Sequence, residues 1–302
     1  MGPGFSSMGE SVFMRCVRII DRVNMAYVSQ SADVSPFSPS HSQESLPDKL
    51  FISSSLDVIS SVIGSMREQA MPLVEKSNLI TMTMSFMEDS DDTVRQSAFS
   101  ILGDLAQHCF PSIRPHVKQF VMLCVKYMDI EYPRVCNNAI WSLGEMLVQD
   151  GEEIGVYAEA VLPMLISMLS QPRMPPGIRD NSTTTVCRFC LFAPASAAFV
   201  KDYFGALCLN VGKLADNLEK QQAARGLCQL LNREPSVFPS GFPQFAMMVA
   251  SWGPISDLSL GQMLLNVLNA MKECMGSEWR AYYEQNVDLR FRQILLTNFG
   301  FE

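Results

Sequence analysis

Apolar residues recur along this chain at intervals of three and four, and strict strand-like alternation is scarce. Val12, Phe13, Cys16, Val17, Ile19 and Ile20 follow helical spacing. The segments Leu79–Met87 and Phe120–Met128 read the same way from their apolar content and flanks. Short punctuators separate such segments: 89–92, 129–133, 171–176, 234–239, and Gly253-Pro254. The pattern predicts about a dozen helices of three to five turns each.

The helical segments also resemble one another. The stretch from Asp92 to Asp104 can be laid on Pro133 to Glu145 at a constant offset of 41 residues. Val94/Val135, Ala98/Ala139, Leu102/Leu143 and Gly103/Gly144 are identical pairs, and Asp104/Glu145 keeps the acid. Fainter copies lie at Asn181–Val186 and Gln222–Leu227. A period near 41 with two helices per unit falls in the range of HEAT and armadillo repeats. One such helix pair cannot bury its apolar face alone, so the units stack. The expected fold is therefore an all-α HEAT-repeat solenoid, a superhelix of about six antiparallel helix pairs over residues 11–302. Residues 29–46, rich in Ser with two prolines, predict a flexible loop joining the helices of the first pair. Residues 1–10, which fit a Met-Gly-x-x-x-Ser pattern, read as a leader or gene-start segment outside the fold.

Composition narrows the function. Of 302 residues, 48% are apolar and 18% charged, so a large core is expected and intrinsic disorder is excluded. Lys and Arg total 23 against 31 acids, a net charge of -8. That balance argues against a nucleic-acid backbone or an anionic membrane surface as partner and suits a basic one. Nine cysteines are scattered through apolar segments and read as buried free thiols of a reducing compartment. Cys187-x-x-Cys190 lacks a second ligand pair at zinc spacing, so no metal site is expected. No apolar run reaches the roughly 18 residues that suggest a membrane-spanning helix. Gly-rich phosphate loops, His-Glu-x-x-His and Gly-x-Ser-x-Gly are all absent, which leaves no constellation for an enzyme and no cofactor cradle.

A binding surface has better candidates. The offset puts Asp104 and Glu145 at equivalent points of successive second helices, and Asp57 in the preceding one extends the row. Trp141 lies four residues before Glu145, and Asn137 four before Trp141, so the three share a helix face. Acids would attract Lys or Arg, Trp141 would cover aliphatic or cationic groups, and Asn137 or Asn138 would pair with peptide backbone. The alternative is that Trp141 belongs to the core and the acids are ordinary solvated charges.

At these residues the chain resembles the transportins, the karyopherin-β2 branch of the importin-β family of nuclear import receptors. The resemblance rests on Val12–Cys16, Val94–Ser97, Leu102–Leu105, Val135–Ala139 with Trp141, Arg225-Gly226, Ala250–Trp252 and Glu278–Arg280, in order and nearly without gaps from about residue 47 onward. It implies the C-terminal, cargo-binding arch of a longer HEAT superhelix, without the N-terminal arch that binds Ran-GTP or the acidic loop that couples Ran to cargo release. The implied cargo is a protein, typically an RNA-binding one, carrying a basic, extended proline-tyrosine nuclear localisation signal. Nucleoporins are further implied partners, and shuttling between cytoplasm and nucleus the implied localisation. Asp57, Asp104 and Trp141 match the family's acidic and aromatic signal contacts, and Thr184 stands in the same surface. Ser53, Pro133 and Thr184 replace aliphatic family residues, which implies weaker reading of a hydrophobic epitope, by roughly 1–3 kcal/mol per fully buried side chain. The alternative is a HEAT scaffold for protein assembly without nuclear-signal specificity.

Overall fold

A computed structural model describes residues 3–32, 46–215, 218–253 and 255–302. Among the described residues the secondary structure is helical, with no strand. The chain divides into two compact units, Met1–Gln149 and Asp150–Glu302.

The first unit holds α1 (Pro3–Ala32), α2 (Leu50–Met66), α3 (Met71–Glu75), α4 (Leu79–Phe86), α5 (Asp92–Ile113), α6 (Val117–Lys126) and α7 (Pro133–Gln149). α1 packs on α2, α4 on α5 and α6 on α7, while α2, α5 and α7 lie side by side. Phe13, Ile20, Leu56, Ile59, Phe99, Leu102, Phe120, Ile140 and Leu143 are fully buried between them. Asp91 caps α5, its side chain accepting from the Thr93 and Val94 N–H groups at 2.8 and 3.3 Å. Near its end α5 kinks at Cys109 (φ -134°, ψ 32°), two residues before Pro111, whose missing N–H and bulky ring break the helical ladder. Arg95 ties the turn before α5 to the helix. Its guanidinium donates to the carbonyls of Asp89 (2.7 Å) and Ser90 (3.1 Å) and lies over the rings of Tyr132 and Tyr127.

The second unit holds α8 (Gly151–Gly155), α9 (Ala158–Leu169), α10 (Pro176–Phe192), α11 (Phe204–Val211), α12 (Leu218–Arg233), α13 (Phe238–Ala250), α14 (Leu258–Met275), α15 (Trp279–Asn286) and α16 (Leu289–Phe299). α10, α12 and α14 follow one another as the second helices of their pairs, and α11 packs on α13 in the row of first helices. Polar links cross each step of this row of second helices. Arg188 Nε donates to Gln222 Oε1 at 3.0 Å, and Arg225 pairs with Asp257, the cap of α14, at 2.8 Å. Gly226 lets α12 approach α10: a Cβ there would lie 2.1 Å from the Cys187 carbonyl oxygen.

The repeat reading agrees with this arrangement. All four sequence copies fall on second helices: α5, α7, α10 and α12. The pairs are α1/α2, α3–α4/α5, α6/α7, α9/α10, α11/α12 and α13/α14, and α15/α16 add a shorter closing pair among the described residues. Across the expected boundary after residue 10 the helix is continuous: α1 begins at Pro3, and a Cβ on Gly9 would lie 2.9 Å from Met66 Sδ of α2. The helix also runs to Ala32, into the stretch expected as a loop, while 33–45 lie outside the described residues. Eight of the nine cysteines are buried thiols and only Cys274 is exposed. Burial pushes the Cys190 thiol up to about 12 and that of Cys187 well above its usual value, as expected of core thiols. No cluster of His, Cys, Asp and Glu among the described residues has the geometry to hold a metal ion.

Candidate peptide-binding surface

The sequence-derived residues of the first unit fall on α2, α5 and α7. The ring of Trp141 on α7 lies against Gly103 on α5, closely enough that a Cβ at Gly103 would meet Trp141 Cζ3 at 2.0 Å. The glycine is thus what seats the indole between the two helices. Trp141 remains half-buried in this position. The adjoining Asp104 is half-buried, and Ser60 of α2 donates its hydroxyl to Asp104 Oδ2.

Glu145, one turn beyond Trp141, is only 5% exposed. Burial raises the carboxyl pKa of Asp104, and the negative charge of Glu145 raises it further. The Ser60 hydrogen bond and the nearby His108 pull in the opposite direction. A half-exposed carboxylate with a second acid behind it presents local negative charge to a cation from outside. Past His108 opens a hollow of about 440 Å³ lined by Met66, Arg67, Glu68, Gln69 and His108.

Other expected residues are placed differently. Asp57 is exposed on α2, and it is Ser60, nearly one turn further along, that reaches Asp104. Asn138 does not offer a free amide: its Nδ2 donates to the Gln96 carbonyl of α5 at 3.0 Å, and its Oδ1 accepts from Asn137 Nδ2 at 3.3 Å. These amides knit α7 to α5. Glu145 is a buried neighbour of Asp104 and not a solvated contact. Thr184, in the second unit, is 3% exposed and donates to the Asp180 carbonyl at 2.9 Å. Back-bonding to its own helix removes it from the surface. Ser53 is likewise buried and bonded to the Leu50 carbonyl, whereas Pro133 is exposed at the start of α7. Ser60 and His108 were not singled out by sequence. Ser60 reaches Asp104 from another repeat and leaves no local signal, whereas His108 lies four residues after Asp104 on α5, a spacing visible in the sequence.

No protein-family model matches the chain. Transportin-1 of Mus musculus and of Homo sapiens are each 30% identical over 285 residues, covering 93% of this chain and 31% of their own length. Transportin of Dictyostelium discoideum is 25% identical over 300 residues, 99% of this chain. Over about nine-tenths of its length the chain is similar to one part of the transportins. It spans about a third of the length of the curated transportins it matches. The same helical fold recurs in solved structures at lower identity. A Kap95:Nup1 complex aligns with a TM-score of 0.60 at 13% identity, covering 97% of this chain and 37% of that one. A computationally designed armadillo repeat protein for modular peptide recognition aligns at 0.55 and 14% identity, covering 74% of this chain and 94% of that one. The chain therefore shares the all-α solenoid fold of these structures.

Proposed function

We propose that this chain is the cargo-capturing portion of a nuclear import receptor, holding basic, extended proline-tyrosine signals on the surface formed by α2, α5 and α7. The observation that carries the reading is the Ser60–Asp104–Glu145 group beside the Gly103-seated Trp141. Asp104 draws the Lys or Arg of an extended peptide, and the indole covers its aliphatic stem or cation, an interaction of about 0.5–2 kcal/mol depending on desolvation. Asp57, exposed on the same helix as Ser60, adds long-range attraction. Function is capture and release, with no chemical step. The transportin relatives support this reading. Solved structures of the same fold include Kap95 with Nup1 and Kap95p with RanGDP, which supports nucleoporins and Ran as partners of the longer receptor and shuttling between cytoplasm and nucleus as its habit.

The test is titration of a fluorescently labelled basic proline-tyrosine peptide against wild type, Trp141→Ala and Asp104→Lys. Binding should fall at least tenfold in each variant and weaken steeply between low and physiological salt. Equal binding by all three proteins would sink the surface. Equal capture of basic and neutral peptides would favour a scaffold without signal specificity.

A further inference from the structure

The hollow beyond His108 lies where two neighbouring helices both leave helical geometry. α5 kinks at Cys109, and α2 stops at Met66. Arg67, next in the chain, takes φ 55° and ψ -134° and opens a short 3-10 turn over Arg67–Ala70. It is the one non-glycine residue with positive φ among the described residues. At the end of α14 the same turn is made by Gly276, at φ 53° and ψ -123°, again opening a 3-10 turn. This backbone region is open to glycine and strained for any residue with a Cβ. Glycine would therefore make the turn after α2 at lower cost than arginine does.

No polar contact of the Arg67 side chain offsets that strain. The side chain is exposed and forms no hydrogen bond or salt bridge among the described residues. Instead it lines the hollow, together with Met66, Glu68, Gln69 and His108. Glu68 is the one acid of this lining, and it lies close to Cys109: burial first, then the charges of Glu75 and Glu68, push that thiol up to about 11. Arg67 and, in its protonated form, His108 are the basic members.

His108 lies four residues after Asp104, about 6 Å along α5. In an extended peptide, side chains on one face are two residues and about 7 Å apart. With Asp104 as the anchor of a Lys or Arg, as proposed above, the hollow receives the side chain two positions away. We infer that Arg67 is a specificity residue of this site, selecting at that position an acidic side chain over a neutral or basic one. Arginine at the strained turn trades stability for that selection, since the glycine that would relieve the strain carries no charge.

The experiment is fluorescence anisotropy at low salt with labelled Gly-Ser-Xaa-Ser-Lys-Ser-Xaa-Ser-Gly, Xaa being Glu or Gln. Wild type should bind the Glu peptide roughly threefold more tightly. General attraction to a chain of net charge -8 would give the opposite order. Arg67→Lys should keep the preference, Arg67→Ala and Arg67→Gly should lose it, and Arg67→Glu should reverse it. Thermal melts separate charge from backbone: Arg67→Gly should melt above both wild type and Arg67→Ala. Asp104→Lys is the control for the anchor. If it weakens both peptides while wild type and Arg67→Gly order them alike, the anchor stands and Arg67 selects nothing. If neither peptide binds wild type, or Asp104→Lys binds both as wild type does, the anchor and the role of Arg67 fall together. A melt of Arg67→Gly no higher than that of Arg67→Ala overturns the trade of stability for selection.

Discussion

Replacing Gly103 by alanine tests the seat of Trp141 directly. The new methyl would stand 2.0 Å from Cζ3, 2.4 Å from Cε3 and 2.5 Å from Cη2 of the indole. Carbon atoms pack comfortably at about 3.5–4.0 Å, so the ring must retreat by roughly 1.5 Å or α5 and α7 must part. Such overpacking costs about 1–3 kcal/mol. Against it stands the gain of about 1 kcal/mol for alanine over glycine inside a helix. The net expectation is a loss of up to about 2 kcal/mol, read as a lower urea midpoint at unchanged slope. Gly64 on α2 has nothing within 4 Å of its would-be Cβ, so Gly64→Ala should stabilise, by up to about 1 kcal/mol. In a Trp141→Ala background the clash is gone, and Gly103→Ala should there become stabilising, a coupling of about 1–3 kcal/mol in the double-mutant cycle. If Gly103→Ala is as favourable with Trp141 present as with it absent, the indole does not rest on this glycine, and the account of the surface fails with it.

Four further outcomes are expected. Asp104 has a carboxyl pKa raised above its unfolded value, so its ionised form opposes folding and stability is gained as pH falls through the folded value. Asp104→Asn should therefore be neutral or stabilising at pH 7 in urea denaturation while losing the basic peptide. Ser60→Ala, by removing a bond to the ionised form, should move the acid loss of peptide binding to higher pH, measured by anisotropy across pH 4–8. Gly226→Ala drives a methyl to 2.1 Å from the Cys187 carbonyl oxygen, main-chain matter that cannot rotate aside, so a loss of about 3 kcal/mol is expected in the second unit's denaturation. A thiol reagent should label Cys274 rapidly and the remaining eight cysteines only on unfolding, counted by intact-protein mass spectrometry.

The architecture is legible in the sequence because a helix pair must hand the same small and apolar positions to its neighbour in every repeat. Val94, Ala98, Leu102 and Gly103 recur at 135, 139, 143 and 144 for that reason, and the corresponding helices pack side by side. Helical spacing says less about which polar residues meet solvent. A second helix in such a stack is covered on two sides, so Glu145, Thr184 and Ser53 are buried although all three are polar. Asn138 looked available because its bond to the Gln96 carbonyl spans 42 residues. Ser60 was invisible for a similar reason, since its bond to Asp104 spans 44. Asp104 and Trp141 were legible because the offset and the four-residue spacing placed them on neighbouring helices before any packing was known.

A charge exchange at Asp104 tests the central claim most directly. The labelled signal peptide and a version with glutamates at its basic positions are each titrated against wild type and Asp104→Lys at low salt. The account predicts that wild type prefers the basic peptide at least tenfold and that Asp104→Lys narrows or reverses that preference. An unchanged preference in Asp104→Lys would place the recognition of basic signals elsewhere and contradict the assignment of α2, α5 and α7.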